Sequence, residues 1–136
     1  MIPAARNAGS RLLQLDRVNV RSGGGVALEG MTLEVQVGEA VGVLGRRGSG
    51  KTALLDVISG FLRPQRGRVT FTGQDITRWA AHRIARAGVA RSFQDVAEPD
   101  GLSVGDAVFA AAVGRGLERR AACQAVDNAF VITGRG

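Results

Sequence analysis

The 136-residue sequence is poor in several residue types, and each shortage excludes a class of structure or function. A single cysteine, Cys123, excludes an internal disulfide and fits a reducing compartment. It is expected to be a small buried residue, with a reactive thiol as the alternative. There is no tyrosine, and five phenylalanines with one tryptophan are too few to form a stacking platform for nucleic acid. The longest strongly apolar stretch, residues 107–113, is too short to span a bilayer. The first residues contain no sustained apolar run, so we expect a globular cytoplasmic protein.

Charge is abundant, and the net charge of +6 comes almost wholly from arginine. The arginines are spread from Arg6 to Arg135 without a block longer than two, which is typical of solvated faces. A nucleic-acid partner is therefore not expected, whereas proximity to an anionic membrane surface is compatible with the charge. Lysine occurs only once, as Lys51, and a chain that uses arginine everywhere else needs a physical reason for this exception.

Lys51 lies in residues 45–52, GRRGSGKT, which match the phosphate-binding pattern G-x-x-x-x-G-K-[ST] at every fixed position. A lysine carries a compact charge on a thin flexible stem that can reach two neighbouring phosphates, whereas the planar arginine fork is bulkier. The use of lysine at this one position therefore indicates a P-loop. Arg46 and Arg47 occupy variable positions of the loop and are assigned no role beyond electrostatic attraction.

The residues around the motif predict the order strand, loop and helix that phosphate binding requires. The apolar run 39–44 predicts a buried parallel strand, and the helical spacing of residues 54–58 predicts a helix that Gly60 ends. Backbone N–H groups of the loop and the helix N-terminus would hold the phosphates, Lys51 would contact the β- and γ-phosphates, and the Thr52 hydroxyl would ligate Mg²⁺. The expected nucleotide-binding residues are Gly45, Gly48, Ser49, Gly50, Lys51 and Thr52.

The rest of the chain predicts an antiparallel β lead-in before the loop and a mixture of strands and helices after it. Residues 1–10 are expected to be a flexible lead-in, and residues 22–25 a turn. Thr77 is expected to cap the first helix after the P-loop helix. The predicted strands are 11–20, 26–37 (one or two strands), 68–72 and 89–93, and the predicted helices are 78–87, 104–113 and 117–130.

With the motif and this order of elements, the chain resembles the ATP-binding subunits of ABC transporters from about Arg11 to about Arg115. Besides the P-loop, the resemblance is carried by residues 60–67 with Val69 and 73–76, and by residues 88–94. The last two stretches are most similar to the branched-chain amino-acid branch of importers. The fold implied is an α/β P-loop NTPase: a β lead-in and P-loop core over 11–94, and the start of a helical subdomain over 95–136.

The resemblance also implies a function and partners. Gln94 would be the catalytic Q-loop glutamine, whose amide reaches Mg²⁺ or the attacking water. The complete family member would bind Mg·ATP and dimerise head to tail with a second ATP-binding subunit. It would hydrolyse ATP to drive membrane permease subunits from the inner face of the plasma membrane.

Four features of the family pattern are missing from the chain. Arg21 and Ser22 stand where an aromatic residue usually stacks on adenine, so weakened base selectivity is our hypothesis. No Leu-Ser-Gly-Gly-Gln signature follows the helices; Ser22 begins a similar Ser-Gly-Gly-Gly run, but in a hairpin before the P-loop. No apolar strand ends in Asp-Glu after Gln94, and no switch histidine follows, since His82 precedes Gln94. Losing metal clamping and water activation removes most catalysis of phosphoryl transfer, so this chain alone is expected to be inactive or very slow.

The sequence leaves two alternatives to a transporter ATPase. All of these absences except that of the aromatic residue are explained if the chain is an N-terminal fragment or a truncated reading frame, which would make it a non-enzymatic nucleotide- or partner-binding fragment. A soluble ABC ATPase acting on ribosomes is the other alternative, favoured by the basic charge. Trp79 is expected in the core or at a subunit interface.

Overall fold

The computed structural model describes residues 10–23, 25–93 and 101–134, which form two units, 10–84 and 85–134. The first unit contains the sheet and the P-loop, and the second contains a pair of helices. The strands are β1 (Arg11–Ser22), β2 (Gly25–Gln36), β3 (Arg66–Phe71) and β4 (Gln74–Asp75), and the helices are α1 (Lys51–Ile58), α2 (Ala81–Ala87), α3 (Val104–Gly114) and α4 (Arg119–Thr133).

The four strands form one antiparallel sheet in the order β2-β1-β3-β4, which confirms the predicted β lead-in. β1 is central, and Leu15 pairs with Leu33 of β2 and with Val69 of β3. The register of β1 shifts against both neighbours within residues 15–19, where Arg17 adopts a left-handed φ of 46°. Such a bulge bends a strand and redirects its side chains.

The core of the first unit lies between one face of this sheet and α1. On β1, Leu15, Val18 and Val20 are fully buried, and the register shift between Leu15 and Val18 accounts for their odd spacing. α1 contributes Leu54 and Val57, which recur at helical spacing and are also buried. Burial of these side chains fixes α1, and with it the end of the P-loop, against the sheet.

The predicted strands at 39–44 and 89–93 are wrong for the described residues, because neither segment has strand structure. A strand exists only when its backbone pairs with a neighbour, and no described strand pairs with either segment. The apolar side chains of 39–44 are consequently open to solvent: Val41 is 42% exposed and Leu44 96%. The apolar run therefore shows that residues 39–44 are suited to a buried strand, but it does not show which strand would pair with them.

The predicted cap at Thr77 is also wrong, because α2 begins only at Ala81. The Thr77 hydroxyl instead accepts a hydrogen bond from the Val69 N–H at 2.9 Å and donates to the Asp75 carboxylate. Thr77 thereby ties the short β4 turn to β3. A threonine side chain serves equally well in a cap or a turn, and here the neighbouring strand determines its partner.

The second unit contains α3 and α4, close to the predicted helices at 104–113 and 117–130. Ser103 and Asp106 form a capping box at the start of α3, each side chain accepting from the other's backbone N–H.

The expectation of a buried Cys123 is wrong, because this residue is exposed on α4. Among the described residues, no helix is both long and apolar enough to cross a membrane.

Candidate nucleotide-phosphate site

The P-loop joins the unpaired segment 39–44 to α1, whose first residue is Lys51. The Gly50 carbonyl accepts the first helical hydrogen bond, from the Leu54 N–H at 2.8 Å, so the helix begins directly at the end of the loop. The sequence correctly predicted the loop and helix, but the helix also includes Lys51 and Thr52. Both side chains expected to contact phosphate and metal therefore come from its first turn.

Gly50 shapes the end of the loop. It has φ 88° and ψ 4°, a left-handed conformation that side-chain-bearing residues rarely adopt. It also lies so close to β2 that a Cβ at this position would overlap the Ala27 carbonyl oxygen and come within 3.0 Å of Leu28 Cδ2. The sheet thus sets the position of the loop. The motif requires Gly50, but its contact with Ala27 comes from the tertiary approach of β2, for which the sequence contains no signal.

The Lys51 ammonium lies inside the curve of the loop. Its Nζ donates to the carbonyls of Gly45 and Arg46, both at 2.7 Å, and to Ser49 Oγ at 3.3 Å. The structure therefore brings Lys51, Gly45 and Ser49 of the predicted set together. The sequence did not predict that the Ser49 hydroxyl contacts Lys51. Folding the lysine back over the loop places a positive charge where converging N–H groups are already concentrated.

Backbone donors of the loop and first helical turn are largely unsatisfied. From Arg47 to Ala53, only the Ser49 N–H has an acceptor among the described residues, the Arg46 carbonyl at 3.2 Å. The N-cap residue of α1, Gly50, has no side chain that could cap the helix. Unsatisfied N–H groups at a helix N-terminus carry partial positive charge and attract anions. With the Lys51 charge beside them, these donors are suited to the oxygens of a phosphate chain.

Two further groups bear on charge and metal binding at the loop. Arg46 and Arg47 are exposed, and no carboxylate pairs with either within the described ranges. Thr52 is exposed at the second position of α1, so its hydroxyl is accessible as an oxygen ligand. In the part of the chain that the structure describes, no three acidic, histidine or cysteine side chains form a metal cluster. A Mg²⁺ ion here would take most of its ligands from water and phosphate, as this ion commonly does.

The remaining predicted residues are dispersed or lie elsewhere. Gln94 is outside the described residues, so its role stays a prediction. Arg21 is exposed near the end of β1, where its backbone N–H donates to Gln65 Oε1 at 2.8 Å. Trp79 is half-buried, with the Arg83 guanidinium 3.7 Å above its ring centre, and His82 is exposed on α2. Neither Trp79 nor His82 belongs to the loop.

The sequence around this loop is similar to that of several transport and import ATP-binding proteins. The sequence profile described as ABC transporter matches residues 28–133. Over 85 residues the chain is 35% identical to the high-affinity branched-chain amino acid transport ATP-binding protein BraF of Pseudomonas aeruginosa, an alignment covering 62% of this chain and 33% of that protein. It is 40% identical over 94 residues to the arabinose import ATP-binding protein AraG 2 of Burkholderia ambifaria, covering 68% and 18% respectively. The hemin import ATP-binding protein HmuV of Pseudomonas putida is 40% identical over 75 residues, covering 55% and 29%.

Solved structures agree with these relatives. An ATP-binding cassette of an ABC transporter superposes with a TM-score of 0.73 at 26% identity, covering 90% of this chain and 53% of that one. A cassette in its ADP conformation superposes with a TM-score of 0.69 at 28% identity, covering 83% and 44%. The α/β P-loop fold expected from the sequence is thereby confirmed. The aligned part of the chain spans a third or less of these three curated relatives and about half of these solved cassettes.

Proposed function

The chain belongs to the ABC transporter family, and on that premise we propose that it binds ATP as part of an import ATP-binding subunit. The relatives above include importers of a branched-chain amino acid, a sugar and hemin. We propose solute import, with branched-chain amino acids as the favoured substrate because residues 60–67 and 88–94 resemble that branch. The observation that carries the proposal is the position of Lys51 Nζ, within 2.7 Å of two loop carbonyls and beside unsatisfied N–H donors.

The proposed binding residues act on the phosphate chain of ATP. Backbone N–H groups of Gly45, Gly48, Ser49 and Gly50 donate to phosphate oxygens. The Ser49 N–H exchanges its acceptor in the structure, the Arg46 carbonyl, for one of these oxygens. Lys51 exchanges its carbonyl partners for oxygens of the β- and γ-phosphates. This exchange favours binding, because a hydrogen bond between two charged groups is shorter and stronger than one to a neutral carbonyl.

Mg²⁺ fits this loop through the Thr52 hydroxyl, with Gln94 as a second proposed ligand. The ion would neutralise part of the charge on the β- and γ-phosphates. Thr52 presents an exposed oxygen one residue after Lys51 on the same helical turn, which agrees with this assignment. Gln94 is proposed as the catalytic residue that orients the attacking water.

Turnover by this chain alone is proposed to be absent or very slow. The sequence contains no apolar segment ending in Asp-Glu after Gln94 to hold the metal and activate water. Binding of ATP and its hydrolysis are thus separate properties, and Lys51 supports only the first. The exposed Arg21 at the expected base-stacking position leads us to propose weak discrimination between ATP and GTP.

The proposed partners are membrane permease subunits and a second ATP-binding subunit arranged head to tail. With these partners, we propose a cytoplasmic location at the inner face of the plasma membrane. A non-enzymatic nucleotide-binding or partner-binding fragment is the second candidate function, favoured by the missing Asp-Glu pair. A ribosome-associated ATPase is a third, favoured only by the basic charge.

Steady-state ATP turnover and copurification test these functions together. We expect the purified chain to bind ATP with turnover near background and to copurify with permease subunits when they are coexpressed. Turnover well above background that disappears in Lys51→Ala would contradict both the slow-turnover proposal and the fragment alternative. Binding of ATP without permease association would favour the fragment, and copurification with ribosomes would favour the third function. Equal titration curves for ATP and GTP are expected, and a strong preference for ATP would refute the role given to Arg21.

A further inference from the structure

A second basic site lies on the sheet, and none of the residues 45–52 is among those that line it. The bulge of β1 and the start of β3 enclose an open groove of about 590 Å³. Three arginines and one carboxylate contribute to its walls, together with an amide side chain and a glycine. The lining residues are Asp16, Arg17, Asn19, Arg66, Gly67 and Arg68.

The backbone around the groove is held in a strained and closely packed form. Arg17 has a φ of 46°, which is uncommon for a residue with a side chain and is often associated with functional positions. Asn19 fixes the bulge from both sides, because its Nδ2 donates to the Arg17 carbonyl at 2.9 Å and its Oδ1 accepts from the Gly30 N–H at 3.0 Å. Gly67, with φ 89°, leaves no room for a Cβ, which would come within 2.5 Å of the Asp16 and Arg17 carbonyl oxygens.

The charges of the groove are only partly neutralised. Arg17 Nε donates to Asp16 at 3.2 Å, and Arg68 Nε lies 3.2 Å from the Asp75 carboxylate. Each pair orients a guanidinium and leaves its terminal nitrogens without an acceptor among the described residues. Arg66 makes no ion pair with any described residue. Three guanidinium groups therefore line one small concave surface, and two carboxylates oppose them: Asp16 in the groove and Asp75 beside it.

We propose that this groove binds a phosphate group, with Arg66 as its main ligand and Arg17 and Arg68 as supporting ones. Guanidinium groups match the geometry of phosphate oxygens with two parallel hydrogen bonds, and the groove is large enough for a phosphomonoester or pyrophosphate. A neighbouring pocket of about 320 Å³ shares Gly67 and Arg68 and is lined also by Trp79. Trp79, the single tryptophan of the chain, therefore lies next to the groove, and its fluorescence is expected to change when a ligand binds there.

The test uses the full chain carrying Lys51→Ala, so that P-loop binding of phosphate is strongly weakened. Pyrophosphate is titrated while Trp79 fluorescence and the amide NMR signals of Gly67 and Asn19 are followed. Saturable binding is expected, and adding Arg66→Ala should weaken it roughly tenfold through the loss of a charge-assisted contact. Arg63→Ala is the matched control, because Arg63 is also exposed but is not among the residues that line the groove.

A phosphate group can arrive free in solution or on a lipid headgroup, and a second arm separates these sources. The same variants are sedimented with vesicles of phosphatidylglycerol, and with phosphatidylcholine vesicles as a blank. Binding of pyrophosphate that depends on Arg66 supports the site with a soluble ligand, and Arg66-dependent binding of phosphatidylglycerol alone supports it with a lipid ligand. Equal weakening by Arg66→Ala and Arg63→Ala would overturn the proposal, because it would reveal only diffuse charge attraction. Absence of binding in both arms would also overturn it, whatever the P-loop binds.

Discussion

Replacing Gly50 by alanine tests whether β2 positions the P-loop. The added methyl group meets two obstacles: a left-handed backbone, with φ 88°, and the Ala27 carbonyl of β2, which a Cβ would overlap. Gly48 supplies a matched control in the same loop. Its φ is 82°, but nothing lies within 4 Å of the Cβ that alanine would add.

Gly50→Ala and Gly48→Ala are expected to lower the free energy of unfolding by different amounts. A left-handed conformation costs a residue with a Cβ about 1–2 kcal/mol, and both variants carry this cost. Gly50→Ala adds an overlap that only a shift of β2 or of the loop can relieve, which we place at about 1–3 kcal/mol. Gly50→Ala should therefore be less stable than Gly48→Ala by about 2 kcal/mol, since the remaining difference is the contact with Ala27.

Urea unfolding followed by Trp79 fluorescence measures this difference, because Trp79 belongs to the same unit as the P-loop. For a small domain, a loss of about 2 kcal/mol lowers the urea midpoint by about 1 M. Gly50→Ala should also bind ATP more weakly than Gly48→Ala, since a displaced loop misaligns its N–H donors. Equal midpoints for the two variants would refute the inference that close approach of β2 positions the loop.

Two further predictions concern the core and the β4 turn. Leu54→Ala should lower the free energy of unfolding by about 2–5 kcal/mol, because Leu54 is 1% exposed. Leu55→Ala should lower it far less, because Leu55 is 49% exposed. Urea titration measures both losses, and similar losses would contradict the packing of α1. The pKa of Asp75 lies below its ordinary value because the Thr77 hydroxyl and N–H donate to its carboxylate and nearby arginines attract its charge. Ionised Asp75 therefore adds stability above its ordinary pKa, and this stability is lost as pH falls through the lowered folded value. Thr77→Val should raise that pKa in a carboxyl NMR titration and weaken the acid dependence of stability, and an unchanged pKa would contradict the hydrogen-bond assignment.

Features that depend on neighbouring residues in the chain could be predicted from the sequence. The P-loop has its glycines, lysine and threonine within eight positions, and α1 follows from apolar spacing directly after it. The long strands β1 and β2 follow from alternation around a glycine turn. In each case the residues that determine the element are also the residues that form it.

Features that depend on distant partners could not be predicted. Residues 39–44 have the composition of a buried strand, yet strand structure requires a second backbone beside them. Thr77 was predicted only as a helix cap, and the hydrogen bond that its hydroxyl accepts from the Val69 N–H depends on the pairing of β3 with the segment that follows it. The contact of Gly50 with Ala27 likewise joins residues far apart in sequence, so the pattern that identified the loop contained no information on how it is supported.

Calorimetric titration of ATP with Mg²⁺ into the wild-type chain, Lys51→Ala and Arg47→Ala tests the central claim most directly. Both variants remove one positive charge from the same loop, but only Lys51 donates to its carbonyls. We predict that Lys51→Ala weakens binding by roughly a hundredfold, the loss expected for two charged hydrogen bonds to phosphate, while Arg47→Ala weakens it less than fivefold. Equal affinities for Lys51→Ala and the wild type, or equal losses in the two variants, would contradict the assignment of Lys51 as the phosphate ligand.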